Sequence, residues 1–290
     1  MSQLNKMEKY LLENLSRLAK EGTIDENPRP KYEDGSPAHT IFINGVYETY
    51  DIANGEFPIT ETREISIEKA IQEIRVFTQL QSSKIKDFEA YGVKWWKPWS
   101  VGDGDTIGQR YGATIKKYDL MNKLLDGLVD DPFSRRHILN LYQYADFEET
   151  EGIYPCCYES IWSVSKRTND DSLYLDCTMV QRSSDVLVAG TGINQMQYVA
   201  LQMMIATHCG YKAGKFNHLR QSYHIYDKHI EQAEETIKRI HQLKQREEQT
   251  SPKLILNVPN KTNFYEITID NFELVDYNPI KPQMKFELGI

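Results

Sequence analysis

Tyr154 to Asp185 reads YPCCYESIWSVSKRTNDDSLYLDCTMVQRSSD, and its two ends carry the residues of greatest chemical interest. Ile161 to Val164 and Tyr174 to Val180 have the make-up of strands. The polar stretch Ser165 to Ser172 between them predicts an extended hairpin. At one end stands Pro155-Cys156-Cys157, at the other Gln181-Arg182-Ser183-Ser184-Asp185. If the fold brings Arg182 beside Cys156, one guanidinium can both grip a phosphorylated substrate and favour the thiolate, the attacking form of a cysteine.

Working outward, Ile138 to Tyr142 reads as a strand, and Met121, Leu124, Leu125 and Leu128 mark a helix that ends near Pro132. Val93 to Gly112, rich in aromatics and glycine, reads as an ordered loop. Ile67, Ile71, Ile74 and Phe77 share one face of a helix that Ser66 is placed to cap. Thr40 to Tyr47 alternates as a strand and turn, Asn27 to Ala38 reads as a loop, and Leu4 to Leu18 has helical spacing with Gly22 as its stop. On the carboxyl side, Gln195 to Cys209 is apolar on more than one side and predicts a buried helix. His229 to Gln249 reads as a charged, partly exposed helix, with strands expected around Leu254 to Leu256 and Tyr265 to Thr268. Strands and helices mix without strict alternation, so the fold class is α+β.

The 290 residues, 40% hydrophobic and 26% charged, fit a globular protein of one large domain or two small ones. No run of about 18 apolar residues predicts a membrane span. The amino terminus lacks the basic-then-apolar pattern of a secretory signal, so a cytoplasmic location is expected. The net charge of -8 argues against DNA as a partner. Four cysteines without CxxC spacing predict neither a disulfide framework nor a metal site.

Each candidate residue has an ordinary reading beside a chemical one. Cys177 and Cys209 read as core residues, whereas Cys156 follows a rigid proline, as a nucleophile turn needs. Arg182 and the pair Arg135-Arg136 are either a solvated face or phosphate ligands. His224 and Tyr226 put two polar tips on one face of a strand, or on a turn, for sugar hydroxyls or for core packing. Asn194 is a helix N-cap or a reader of an amide edge, having both a donor and an acceptor. Glu73 lies near the apolar stripe of its helix, where a carboxylate is costly unless partnered, and so is a candidate tuned acid or base.

Together these segments resemble the thymidylate synthase family over about Gly22 to Ile290. The matching motifs, in the family's order, begin with Phe57-Pro58 ahead of Glu73, then Trp96 and Trp99, and Tyr111-Gly112. Arg135 and Arg136 follow, then Pro155-Cys156 and Gln181-Arg182-Ser183-x-Asp185. Asn194 with Tyr198, and His224-x-Tyr226, complete the series. The resemblance implies one domain over 1–290, with a mixed β-sheet packed by helices and a sheet face buried in a homodimer. It implies conversion of dUMP to dTMP with 5,10-methylenetetrahydrofolate as one-carbon and hydride donor. Cys156, Glu73, Arg182, Asn194, Asp185 and Tyr111 would then form the catalytic set. Arg29, Gln181, Arg182, Ser183, Asp185, Asn194, His224 and Tyr226 would bind dUMP, with Arg135 and Arg136 supplied by the partner subunit. Trp96, Trp99, Asp185, Gly190 and Ile290 would meet the folate.

The chain departs from the family's pattern at a few places. Cys157 stands where most members have histidine, and Val188 to Asn194 replaces Gly-x-Pro-Phe-Asn with one extra residue. Gln221-Ser222-Tyr223 replaces a glycine-aspartate pair, and the ending Phe286 to Ile290 is a variant. A deoxyuridylate hydroxymethylase is the nearest rival reading, followed by a non-catalytic nucleotide- or RNA-binding homologue. A cysteine hydrolase would require His218 or His224 beside the thiol.

Overall fold

The computed structural model describes residues 4–168 and 170–290. Its helices are α1 (Lys6–Glu21), α2 (Ile67–Thr78), α3 (Ile85–Ala90), α4 (Gly112–Tyr118), α5 (Leu120–Asp130), α6 (Tyr144–Glu149), α7 (Ile193–Cys209) and α8 (Ile230–Lys244). Its strands are β1 (Thr23–Ile24), β2 (Thr40–Asp51), β3 (Ile138–Asn140), β4 (Cys157–Arg167), β5 (Asp170–Asp185), β6 (Lys212–Tyr226), β7 (Lys253–Leu256) and β8 (Phe272–Val275). Six strands form one sheet in the order β1-β2-β6-β5-β4-β3, while β7 and β8 pair apart from it. Only β5 and β6 run parallel, so the sheet is mixed. The parallel pair needs a crossover, and α7 supplies it.

The expected hairpin is β4–β5, longer on both sides than its apolar cores suggested; of the predicted stretch Ser165 to Ser172, Asn169 lies outside the described residues. Alternation continues through polar Ser163, Ser165 and Asp176, whose partners lie across the ladder. Glycine 45 does not turn the chain. Asn44 pairs with Ser222 and Val46 with Arg220 in unbroken register, so β2 runs straight through to Asp51. The alternating stretch Tyr265 to Thr268 is not a strand. Phe264–Glu266 is a 3-10 turn with Phe264 fully buried, and the partner of β7 is Phe272–Val275 instead. Ser66 sits at the N-cap of α2, but its hydroxyl makes no capping hydrogen bond. Gly22 does end α1, its N–H donating to the Leu18 carbonyl.

The main core lies between the sheet and α2, α5 and α7, around Trp162, Phe216, Tyr50 and Met204. Helix α7 is apolar nearly all round because both the sheet and α2 cover it. A second core under α1 and α8 holds Leu11, Leu15, Val46 and Ile240.

Glu8 on α1 is 1% exposed. One carboxyl oxygen accepts from Thr60 Oγ1 at 3.1 Å and from the Glu61 N–H at 2.8 Å, while the other has no partner among the described residues. Burial raises its pKa to about 7. The stabilisation from its neutral form is full below the ordinary value of 4.5 and is lost as pH rises through about 7. Glu8→Gln keeps the accepting oxygen and removes the charge. It should therefore gain up to roughly 3 kcal/mol over the parent at pH 8 and little at pH 4.5, by denaturant unfolding.

Candidate active site

The register of β4 against β5 sets Cys157 opposite Gln181, and the Arg182 N–H donates to the Cys156 carbonyl at 2.9 Å. Arg182 then folds back over the segment before the strand. Its Nε donates to the Pro155 carbonyl (3.0 Å), and its Nη2 donates to the Tyr154 carbonyl (2.7 Å) and lies 3.7 Å from Cys156 Sγ. The hairpin thus brings the guanidinium to the sulfur. The Cys156 N–H donates to Tyr111 Oη at 3.1 Å, which ties the thiol's backbone to the aromatic loop. Neither His218 nor His224 is hydrogen-bonded to Cys156: His218 Nε2 meets Gln181 Oε1 and His224 Nδ1 meets Ser222 Oγ. The hydrolase arrangement is therefore not built.

Cys156 opens on a cavity of about 370 Å³, within the range of pockets that enclose a small organic ligand. The cavity is also lined by Arg29, Glu73, Trp96, Trp99, Tyr111, Gln181, Arg182, Ser183, Asp185, Asn194, His224, Tyr226 and Ile290. Fourteen candidate residues, scattered from 29 to 290, converge there. Three do not line it. Arg135 and Arg136 are exposed between α5 and β3. Gly190 is buried behind the wall, its carbonyl accepting from Arg220 Nη1 at 3.3 Å. A Cβ at Gly190 would stand 2.6 Å from Ser184 Oγ, so the glycine serves close packing, and Val188 and Ala189 face the cavity in its place.

Asn194 is the second residue of α7, whose N-cap is Gly192, so its side chain is free of capping. Its Oδ1 accepts from Gln181 Nε2 at 3.2 Å and its Nδ2 donates to Gln197 Oε1 at 3.3 Å. Glu73, on α2 where it faces α7, accepts from Trp96 Nε1 at 2.5 Å and from Gln197 Nε2. His224 and Tyr226 lie two apart on β6 and share one face.

Burial shifts the protonation of Glu73, Asp185, His224 and Cys156. It raises Glu73 to about 7 against the lowering pull of hydrogen bonds from Trp95, Trp96 and Gln197. It raises Asp185 to about 7 although the Val188 and Leu187 N–H groups donate to it. His224 falls to about 4 and is neutral at pH 7. Desolvation raises the Cys156 thiol, and the nearby charges of Arg182 and Arg29 pull it back only partly. The sequence expectation that Arg182 favours the thiolate holds for its direction; the apolar walls of the cavity outweigh it. Cys157 is buried and pushed well above the ordinary thiol value, so it is an inert packing residue in this state.

The tail lies over the same cavity. Lys31 and Ile290 exchange two backbone hydrogen bonds, each 2.9 Å, and Leu288 and Gly289 join Ile290 in the wall. Sequence reasoning missed Trp95, Gln197 and Leu288. Gln197 alone carried a signal: a polar amide in a helix apolar on all sides. Among the described residues no group of His, Cys, Asp and Glu is placed to hold a metal ion, and no helix is long and apolar enough to cross a membrane.

A family model described as thymidylate synthase matches residues 9–290. Over 284 residues the chain is 50% identical to the thymidylate synthase of Lactococcus lactis subsp. lactis, covering 98% of this chain and 99% of that protein. Over 288 residues it is 47% identical to that of Streptococcus gordonii, covering 99% and 100%. The solved thermostable thymidylate synthase A from Bacillus subtilis superposes with a TM-score of 0.85 at 30% identity, over 98% of this chain and 99% of that one.

Proposed function

This chain belongs to the thymidylate synthase family and has that family's activity; we propose that it forms dTMP from dUMP by covalent addition of Cys156 to the pyrimidine. The carrying observation is one cavity that sets Arg182 Nη2 3.7 Å from Cys156 Sγ and holds Asn194 and Glu73 in the same wall. 5,10-Methylenetetrahydrofolate would supply the one-carbon unit and the hydride, and the indoles of Trp96 and Trp99 with the Val188-Ala189 turn offer an apolar wall of the right chemistry for its ring.

The residues divide the work. Arg182, Arg29 and Ser183 hold the phosphate. Asn194 pairs with the ring amide edge, accepting from N3–H and donating to O4. His224 and Tyr226 hold the deoxyribose hydroxyl. Cys156 sulfur bonds to ring carbon 6, the 5,6 double bond opens, and its electrons make carbon 5 nucleophilic towards the one-carbon unit. Glu73, with a pKa of about 7, moves protons at the base. Asp185 orients the folate, and Trp96 keeps water from the exocyclic carbon. We read residues 1–290 as one such domain. It works as a homodimer buried through a sheet face, with Arg135 and Arg136 reaching the partner's phosphate; their exposure away from their own cavity supports this reading.

Incubating the purified chain with dUMP and the folate, and identifying the nucleotide, tests the proposal. dTMP with dihydrofolate is expected; 5-hydroxymethyl-dUMP as main product would overturn it. The tail adds a second expectation. Deleting Ile290 removes both hydrogen bonds to Lys31, so steady-state kinetics should show a larger rise in KM for the folate than for dUMP.

A further inference from the structure

Five polar side chains form one hydrogen-bonded line: Gln181, Asn194, Gln197 and Glu73 along the cavity wall, and His218 behind it. The direction of donation is set at both ends. Glu73 accepts on both oxygens, from Trp96 Nε1 and from Gln197 Nε2, so Gln197 turns its Oε1 to Asn194. At the other end, Gln181 Nε2 also donates to the Ser183 carbonyl at 2.9 Å, which can only accept. Its Oε1 therefore faces His218, whose Nε2 must carry the proton. The two ends agree, and they leave Asn194 with Oδ1 towards Gln181 and its NH2 towards Gln197.

We propose that Gln197 is a positioning residue that locks the amide orientation of Asn194 to the ionised carboxylate of Glu73, so that one side chain governs both base discrimination and proton transfer. The inference rests on the reading of the cavity as a dUMP site. Uracil offers an N–H and a carbonyl on the edge that Asn194 would face; cytosine offers the reverse pair. An Asn194 amide released from Gln197 keeps only the Gln181 hydrogen bond, at 3.2 Å, against the half-turn that would match cytosine. Gln197 is 4% exposed, so its amide is held among protein groups at the cavity wall. The groups facing Glu73 are the indoles of Trp95 and Trp96 from the loop, Gln197 from α7 and the Cys157 thiol from β4, none of them a cation. Losing the Gln197 donor therefore removes part of what holds the carboxylate ionised, and its pKa must rise.

Gln197→Met, which matches the length without the amide, and Gln197→Ala, a second variant should the first misfold, are compared with the parent. Equilibrium binding of dUMP and of dCMP and the pH dependence of kcat/KM are measured. The proposal expects the preference for dUMP to fall about tenfold or more and the acid limb of kcat/KM to move to higher pH. A preference and a limb both unchanged, with kcat lowered equally at every pH, would overturn it. The parent serves as the control for the underlying reading: if it fails to bind dUMP, the site assignment fails rather than the role of Gln197.

Discussion

Replacing Cys156 by alanine should abolish dTMP formation, a loss of about 10⁴-fold or more in kcat, as for removal of a covalent nucleophile. Cys157→Val should keep most of the activity. The contrast follows from placement. Cys156 opens on the cavity with Arg182 at 3.7 Å, whereas Cys157 begins β4 with its side chain 6% exposed in the core. Binding of dUMP should survive Cys156→Ala, because Arg29, Ser183 and Asn194 hold the nucleotide without it. Calorimetric titration with dUMP and a product assay on the two variants separate the effects. Equal losses in both variants would mean that the pair acts as a unit and that the assignment of a single nucleophile is wrong.

Glu73→Gln should cost about 10² to 10⁴ in kcat, the usual worth of a positioned acid or base. The carboxyl sits where both forms are accessible at neutral pH, its pKa raised to about 7 by burial. Its hydrogen-bond donors, Trp96 and Gln197, favour the ionised form. The parent's kcat/KM should then rise with pH through about 7, and this limb should vanish in Glu73→Gln while the thiol's effect at higher pH remains. A limb near pH 7 that persists in the variant would assign it to another group, Asp185 being the neighbour raised to a similar value.

The sequence made the convergence of the site legible, but not its wiring. The hairpin was visible because Ile161 to Val164 and Tyr174 to Val180 are strand-like, and its register alone places Arg182 beside Cys156. Glu73, Trp96 and Asn194 were visible as polar or aromatic residues in apolar or glycine-rich settings. Strand β6 was legible only in part, at His224 to Tyr226, and there a turn read equally well. Its middle carries half-buried Asn217 and buried His218 and Arg220, polar groups that mask the alternation. Their partners are supplied by β2, β5 and the loop before α7, including the buried pair Arg220–Glu48. Helix α4 escaped notice because it starts at Gly112, where a side chain would collide with the backbone of Ser82; the glycine marks a close approach rather than a loop. Gln197 has a local partner in Asn194, one turn back on α7, but its second partner, Glu73, lies 124 residues away in the chain. Its role exists only because α2 packs on α7 and brings Glu73 to it. Tertiary contact, not spacing, created that part of the site.

The proposed chemistry turns on one thiol, Cys156, attacking the pyrimidine. Incubation with 5-fluoro-dUMP and 5,10-methylenetetrahydrofolate, followed by proteolysis and peptide mass mapping, tests it most directly. A covalent nucleotide–folate adduct on Cys156 is the expected result; an adduct on Cys157, or none on the intact protein, would contradict it.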